Sequence, residues 1–159
     1  MNAGHVIMCK SHAIKCELAA EVLRSSGTLR LRVMGWSMLP TVWPGDTLMV
    51  QRVDPREVPE GDIVVFGRER RLFAHRVVKN KNSALLTRGD SMPTPDSPVE
   101  HSEFLGRVSL IVRNGRCIKP RRTLRVEERA IASLVQRSEL AARVVVGVRG
   151  LFQTPNQTT

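Results

Sequence analysis

The chain changes its hydrophobic period twice. From Ser11 to Ser25 the apolar residues Ile14, Leu18, Ala19, Val22 and Leu23 recur at helical spacing, with Lys10, Lys15, Glu17, Glu21 and Arg24 on the other face. Ser11 suits a cap and Gly27 a stop, which predicts one amphipathic helix of about four turns. Leu29-Arg30-Leu31-Arg32-Val33 then alternates strictly, as a half-buried strand does. Thr47 to Val50, Ile63 to Phe66, Phe73 to Val78, Ala84 to Thr87 and Leu105 to Val112 are further short strands. The pairs Gly45-Asp46, Gly61-Asp62 and Gly89-Asp90 punctuate them with turn chemistry. Beyond Lys119-Pro120-Arg121-Arg122 the period is helical again, with Ala130, Ile131, Leu134, Val135, Leu140, Ala141, Val144 and Val145 as an apolar stripe. The expected architecture is mainly β, with one N-terminal and one C-terminal α-helical segment. It divides into an amphipathic helix over 1–28, a β-rich domain over 29–118, and a basic helix and tail over 119–159.

Composition narrows the function. With 159 residues and 42% apolar content, the chain can bury a core without metal or disulfide staples. Aromatics are only 4% and tyrosine is missing, which argues against a stacking platform for single-stranded nucleic acid. The charge of +10 favours an anionic partner without choosing among nucleic acid, lipid and acidic protein. Much of it falls on Arg68, Arg70, Arg71 and the segment from Arg113 to Arg149, which reads as a docking surface. No window approaches the roughly 20 apolar residues of a membrane span, and no secretory signal is recognisable, so the expected location is cytoplasmic or peripheral at a membrane. Cys9, Cys16 and Cys117 form no metal-like pairing, and no cofactor is expected.

The chemistry concentrates in Gly35-Trp36-Ser37-Met38-Leu39-Pro40-Thr41, directly after a strand. Taken alone, Ser37 reads as a turn serine. Further on come Gly61-Asp62-Ile63-Val64-Val65-Phe66, His75-Arg76-Val77-Val78, Thr87-Arg88-Gly89-Asp90 with Asp96 six residues later, and Gly106-Arg107-Val108. In this order and spacing the set resembles the signal peptidase I superfamily, which includes the LexA-like self-cleaving repressors. The resemblance spans about Val33 to Val112.

That resemblance implies Ser37 as nucleophile. The base is a lysine in bacterial signal peptidases and LexA-like proteins, and a histidine in the archaeal and endoplasmic-reticulum type. Here the position holds His75, so the histidine subtype is implied, with Asp96 as third member and Asp90 as a supporting carboxylate. A serine hydroxyl needs such a base, a neutral imidazole suits neutral pH, and a carboxylate behind the ring fixes its tautomer. Lys79 and Lys81 fall just past the strand in what reads as an exposed turn, a poor setting for a desolvated lysine base. The serine donor that precedes the nucleophile in many signal peptidases is replaced by Gly35-Trp36, which is closer to the LexA-like branch. An oxyanion hole would then rest on backbone N–H groups near Ser37 and Met38. His5, His12 and His101 read as solvated side chains.

The implied substrate is a peptide bound as an extended strand, with Leu31 to Met34 and the strand leading into His75 as walls. Trp36, Met38, Leu39 and Trp43 read either as an exposed apolar surface or as caps on the β core. Two rival readings stay open: a non-catalytic basic module for nucleic acid or an anionic surface on a peptidase scaffold, and a LexA-like regulator. Residues 1–28 are short for a helix-turn-helix unit, which puts the regulator third. Peripheral contact with an anionic membrane is a further possibility, and the sequence gives no oligomeric state.

Overall fold

A computed structural model describes residues 16–136. Helix α1 occupies residues 16–26 of this range. The strands are β1 (Thr28–Arg32), β2 (Thr47–Gln51), β3 (Ile63–Arg68), β4 (Arg71–Asn80), β5 (Ala84–Arg88), β6 (Val99–Glu100), β7 (Phe104–Arg113) and β8 (Arg116–Ile118), followed by helix α2 (Val126–Gln136). The strands pair antiparallel throughout, in the order β1-β2-β7-β3-β4-β5-β6, with β8 alongside the far end of β7. The mainly β class and all six expected strands are therefore present, while the two-residue β6 and three-residue β8 carry too little pattern to announce themselves.

The centre of the sheet explains the apolar run of β3. Ile63 and Val65 join one cluster with Leu23, Met38, Val42, Leu48, Val50, Val108 and Ile111. Val64 and Phe66 join a second with Val58, Val77, Leu85 and Val99. A strand buried on both faces cannot alternate. Register slips at Met49/Val50, Val65/Phe66 and Val77/Lys79 interrupt the ladders; such slips bend a sheet.

Gly106 sits where β7 passes closest to β2. A Cβ there would stand 2.6 Å from the Gln51 carbonyl oxygen and 2.9 Å from Val50 Cγ1. Gly106→Ala should therefore overpack this joint and cost about 1–3 kcal/mol. A lower urea midpoint at unchanged m-value is the expected reading; an unchanged midpoint would show that the joint can open freely.

The helices depart from the expected faces. α1 ends where Gly27, at φ +72°, donates its N–H to the Leu23 carbonyl, a glycine stop as the pattern predicts. Ala19 and Leu23 are buried, but Leu18 is 59% exposed because it borders a groove rather than the core. In α2 the inward face is Ile131, Ala132 and Val135, set against Leu39 and Trp43. Ala130 and Leu134 point outward, since this short helix packs on the turn bearing Leu39 and Trp43 along a narrower line than the stripe suggested. The Arg125 N–H donates to Glu128, half of a capping box. Ser11, Ile14, His5, His12, Cys9 and the stripe from Leu140 to Val145 lie outside the described residues.

Candidate active site

Ser37 opens a turn between β1 and β2 that is anchored by its apolar neighbours. Met38 and Val42 enter the first core cluster, while Leu39 is fully buried against α2. The exposed-surface reading thus fails for Met38 and Leu39; of that group only Trp36 is exposed, and Trp43 is half-buried. A loop that must hold a hydroxyl still gains rigidity by burying its own apolar side chains. Trp43 Nε1 donates to the Pro40 carbonyl. Gly35 lies open: a Cβ there would meet nothing within 4 Å, so its lack of a side chain answers no steric demand.

His75 lies mid-strand on β4 opposite Val64, 4% exposed, with its ring edge-on to Phe66 at 5.9 Å and tilted against Phe73 at 6.0 Å. Its Nε2 is 3.0 Å from Ser37 Oγ and its Nδ1 is 2.7 Å from Asp96 Oδ2. Asp96 sits in the loop between β5 and β6, where its N–H donates to the Thr87 carbonyl. Thr87 Oγ1, fully buried, donates to the same Asp96 oxygen at 2.7 Å. Burial opposes the Asp96 charge, but hydrogen bonds from His75 and Thr87 and the charges of His75 and Arg68 outweigh it and hold this carboxyl below its ordinary range. An ionised Asp96 can only accept, so Nδ1 carries the proton and Nε2 is left to accept from Ser37. The depressed value stabilises the fold above the ordinary carboxylate range, and that contribution is lost as pH falls through the folded-state value.

Asp90 faces away from this line. It takes both Nε and Nη2 of Arg76 at 2.7 Å and also accepts from Thr41 Oγ1. It therefore joins the nucleophile turn to β4. The same loop buttresses Ser37 directly: Ser91 donates its N–H to the Ser37 carbonyl at 3.0 Å and its hydroxyl to the Trp36 carbonyl at 2.9 Å. A Cβ on Gly89 would lie 2.5 Å from the Ser37 carbonyl oxygen and 3.2 Å from His75 Nε2, so only glycine lets the two loops close. Gly89 is legible in the sequence only as a turn glycine and Thr87 only as a member of the Thr87-Arg88-Gly89-Asp90 piece, and Ser91 gives no signal there.

The other Gly-Asp aspartates also take arginines. Asp46 receives Arg113, which extends Nη2 to the Thr41 carbonyl, and Asp62 receives Arg107 and Arg122. Arg113, read from the sequence as docking charge, is instead a clamp beneath the Ser37 turn. Arg68 likewise pairs with Glu103. Lys79 lies within β4, not past it, and both Lys79 and Lys81 are exposed. His101 departs from the solvated reading: it is half-buried in the turn before β7, and its Nε2 is enclosed.

A groove of about 750 Å³ runs up to Ser37. Leu31, Val33 and Met34 form one wall, Leu72, Phe73 and Ala74 the other, and Cys16 and Leu18 of α1 border it. These are the walls the sequence suggested. β1 pairs only with β2, and Arg71 to His75 of β4 pair only with β3, so among the described residues each wall presents a strand edge without a neighbour. The N–H groups of Ser37 and Met38 donate to no acceptor among the described residues.

No helix among the described residues is long and apolar enough to cross a membrane. No curated protein matches the chain. A family model described as Peptidase S24-like matches residues 1–109, which is more than half of the sequence, and the chain belongs to that family.

Proposed function

We propose that the protein is a serine endopeptidase in which Ser37 attacks, His75 is the general base and Asp96 orients the imidazole. The observation that carries this reading is the line Ser37 Oγ–His75 Nε2–His75 Nδ1–Asp96 Oδ2, with separations of 3.0 and 2.7 Å between groups far apart in sequence. In the first step Ser37 Oγ bonds to the scissile carbonyl carbon as its proton passes to Nε2, and Asp96 stabilises the imidazolium formed. The N–H groups at Ser37 and Met38 supply donors for the oxyanion. The imidazolium then returns the proton to the leaving amine, and water repeats the sequence to release the acyl group.

An extended peptide fits the groove as a strand added to the open edges of β1 and β4. The family match joins the chain to a LexA-like scaffold, whose base the resemblance gives as lysine. The exposed positions of Lys79 and Lys81 support His75 in that role, as in the histidine subtype.

The test is covalent labelling by a fluorophosphonate probe. Adduct at Ser37, absent in Ser37→Ala and accompanied by cleavage of a peptide library, is the expected result. An unlabelled wild-type protein with salt-dependent binding to polyanions would instead support the non-catalytic basic module.

The family match itself favours a second reading, a LexA-like regulator that cuts its own chain. The two differ in molecularity. Self-cleavage within one chain has a first-order rate independent of protein concentration, whereas cleavage of separate peptides rises with enzyme concentration.

A further inference from the structure

Resting on the serine-peptidase reading, we propose that Arg68 is a positioning residue that holds Asp96 in line with His75. Arg68 ends β3, at the hairpin turn whose Glu69 and Arg70 have positive φ. Its guanidinium forms a fork onto Glu103, Nε to Oε1 and Nη2 to Oε2, both at 2.6 Å. The remaining donors reach back to the chain just after Asp96: Nη1 donates to the Ser97 carbonyl at 3.0 Å and Nη2 to the Pro98 carbonyl at 2.8 Å. One side chain thereby ties three segments together, the end of β3, the Asp96 loop and the start of β7.

The loop needs such a tie. Between Arg88 and Val99 no strand pairing supports it, and on its far side Ser97 and Pro98 are both exposed. Asp96 is held on its near side by Thr87 and by His75 itself, the partner it has to orient. Without Arg68, the two carbonyls after Asp96 would be free to rotate, and the carboxylate with them. The guanidinium also lies 5.6 Å over the Phe66 ring, whose neighbour across the sheet face is His75. Arg68 therefore braces both partners of the His75–Asp96 hydrogen bond while touching neither. Glu103 is fixed in turn: its Oε2 also accepts the Glu100 N–H, and Arg68 holds its carboxyl below the ordinary range. Lysine could pair with Glu103 but could not reach both carbonyls as well.

The test has two readouts. In the Ser37→Ala protein, which needs no activity, the His75 Nδ1–H should give a low-field proton resonance from its bond to Asp96. Arg68→Gln should abolish or strongly shift it, and Arg116→Gln, an equal loss of charge on exposed β8, should leave it unchanged. In the active protein Arg68→Gln should lower kcat about 10–100-fold with KM within about twofold, as a displaced orienting group does. Added to Asp96→Ala, the same change should cost less than about twofold, because its effect passes through Asp96. An unmoved resonance, or an undiminished loss in the Asp96→Ala background, overturns the inference. If Arg68→Gln fails to fold, Arg68→Lys takes its place, with the same resonance shift and a smaller loss in kcat. A protein that cleaves nothing while its resonance follows Arg68 refutes the peptidase reading and leaves the positioning role standing.

Discussion

Replacing His75 by alanine is expected to lower kcat/KM by about 10⁴–10⁶-fold, an effect on the scale of losing the Ser37 nucleophile itself. The argument rests on what the other groups cannot do. Among the described residues, Ser37 Oγ has one basic atom within hydrogen-bond reach, His75 Nε2 at 3.0 Å. The lysines closest to His75 in sequence, Lys79 and Lys81, are exposed and outside the line. Asp96 is acceptor to His75 and Thr87 and stands behind the ring, not beside the serine. The residual rate should come from binding in the groove and from the N–H donors at the turn. Alanine also removes the ring packed against the stacked pair Phe66 and Phe73, which adds a structural component to the loss. Free imidazole separates the two effects: restored turnover in His75→Ala marks a missing base, while no restoration alongside an intact near-UV spectrum would exclude that role. His75→Gln keeps most of the volume and can still bond Asp96, yet cannot carry the proton, and should be nearly as inactive.

The strands were legible because their side chains obey simple periods. Leu29 to Val33 alternates and forms β1; Ile63 to Phe66 is apolar throughout and forms the strand covered on both faces. The candidate triad was legible in another way. No period brings Ser37, His75 and Asp96 together, and only the resemblance singled them out before the fold placed Ser37 3.0 Å and Asp96 2.7 Å from the two ring nitrogens of His75. What stayed hidden is the layer that holds them. Arg68, Arg76 and Arg113 have the same composition signature as docking arginines, and only three-dimensional proximity to Glu103, Asp90 and Asp46 distinguishes them. Gly89 resembles Gly45 and Gly61 in the sequence, yet its need for no side chain comes from the Ser37 carbonyl across the site. Met38 and Leu39 misled for the opposite reason. Loop position suggests exposure, but a turn carrying a reactive hydroxyl is held by what it buries.

That supporting layer gives the second large effect. Asp90→Ala is expected to destabilise the fold by about 3–5 kcal/mol, because it strands the charge of Arg76 in a site where the two side chains are 12% and 3% exposed. For a chain of this size such a loss lowers Tm by roughly 10 °C. The cost exceeds that of a surface ion pair because three other contacts depend on it. Arg76 also donates to the Gly61 and Arg121 carbonyls, and Thr41 loses its acceptor in the Ser37 turn. Thermal unfolding of Asp90→Ala, Asp90→Asn and the double variant Arg76→Met with Asp90→Leu separates charge from geometry. The asparagine variant keeps an acceptor and should lose less than alanine. The apolar pair removes both charges and should recover much of the stability, as buried ion pairs often allow. It should recover little of the activity, since an apolar contact does not fix the Thr41 hydroxyl or the loop bearing Gly89 and Ser91. If Asp90→Ala instead costs under about 1 kcal/mol, the pair behaves as a solvated one, and the hold on Ser37 rests with Ser91, Gly89, the Arg113 clamp and the buried side chains of the turn.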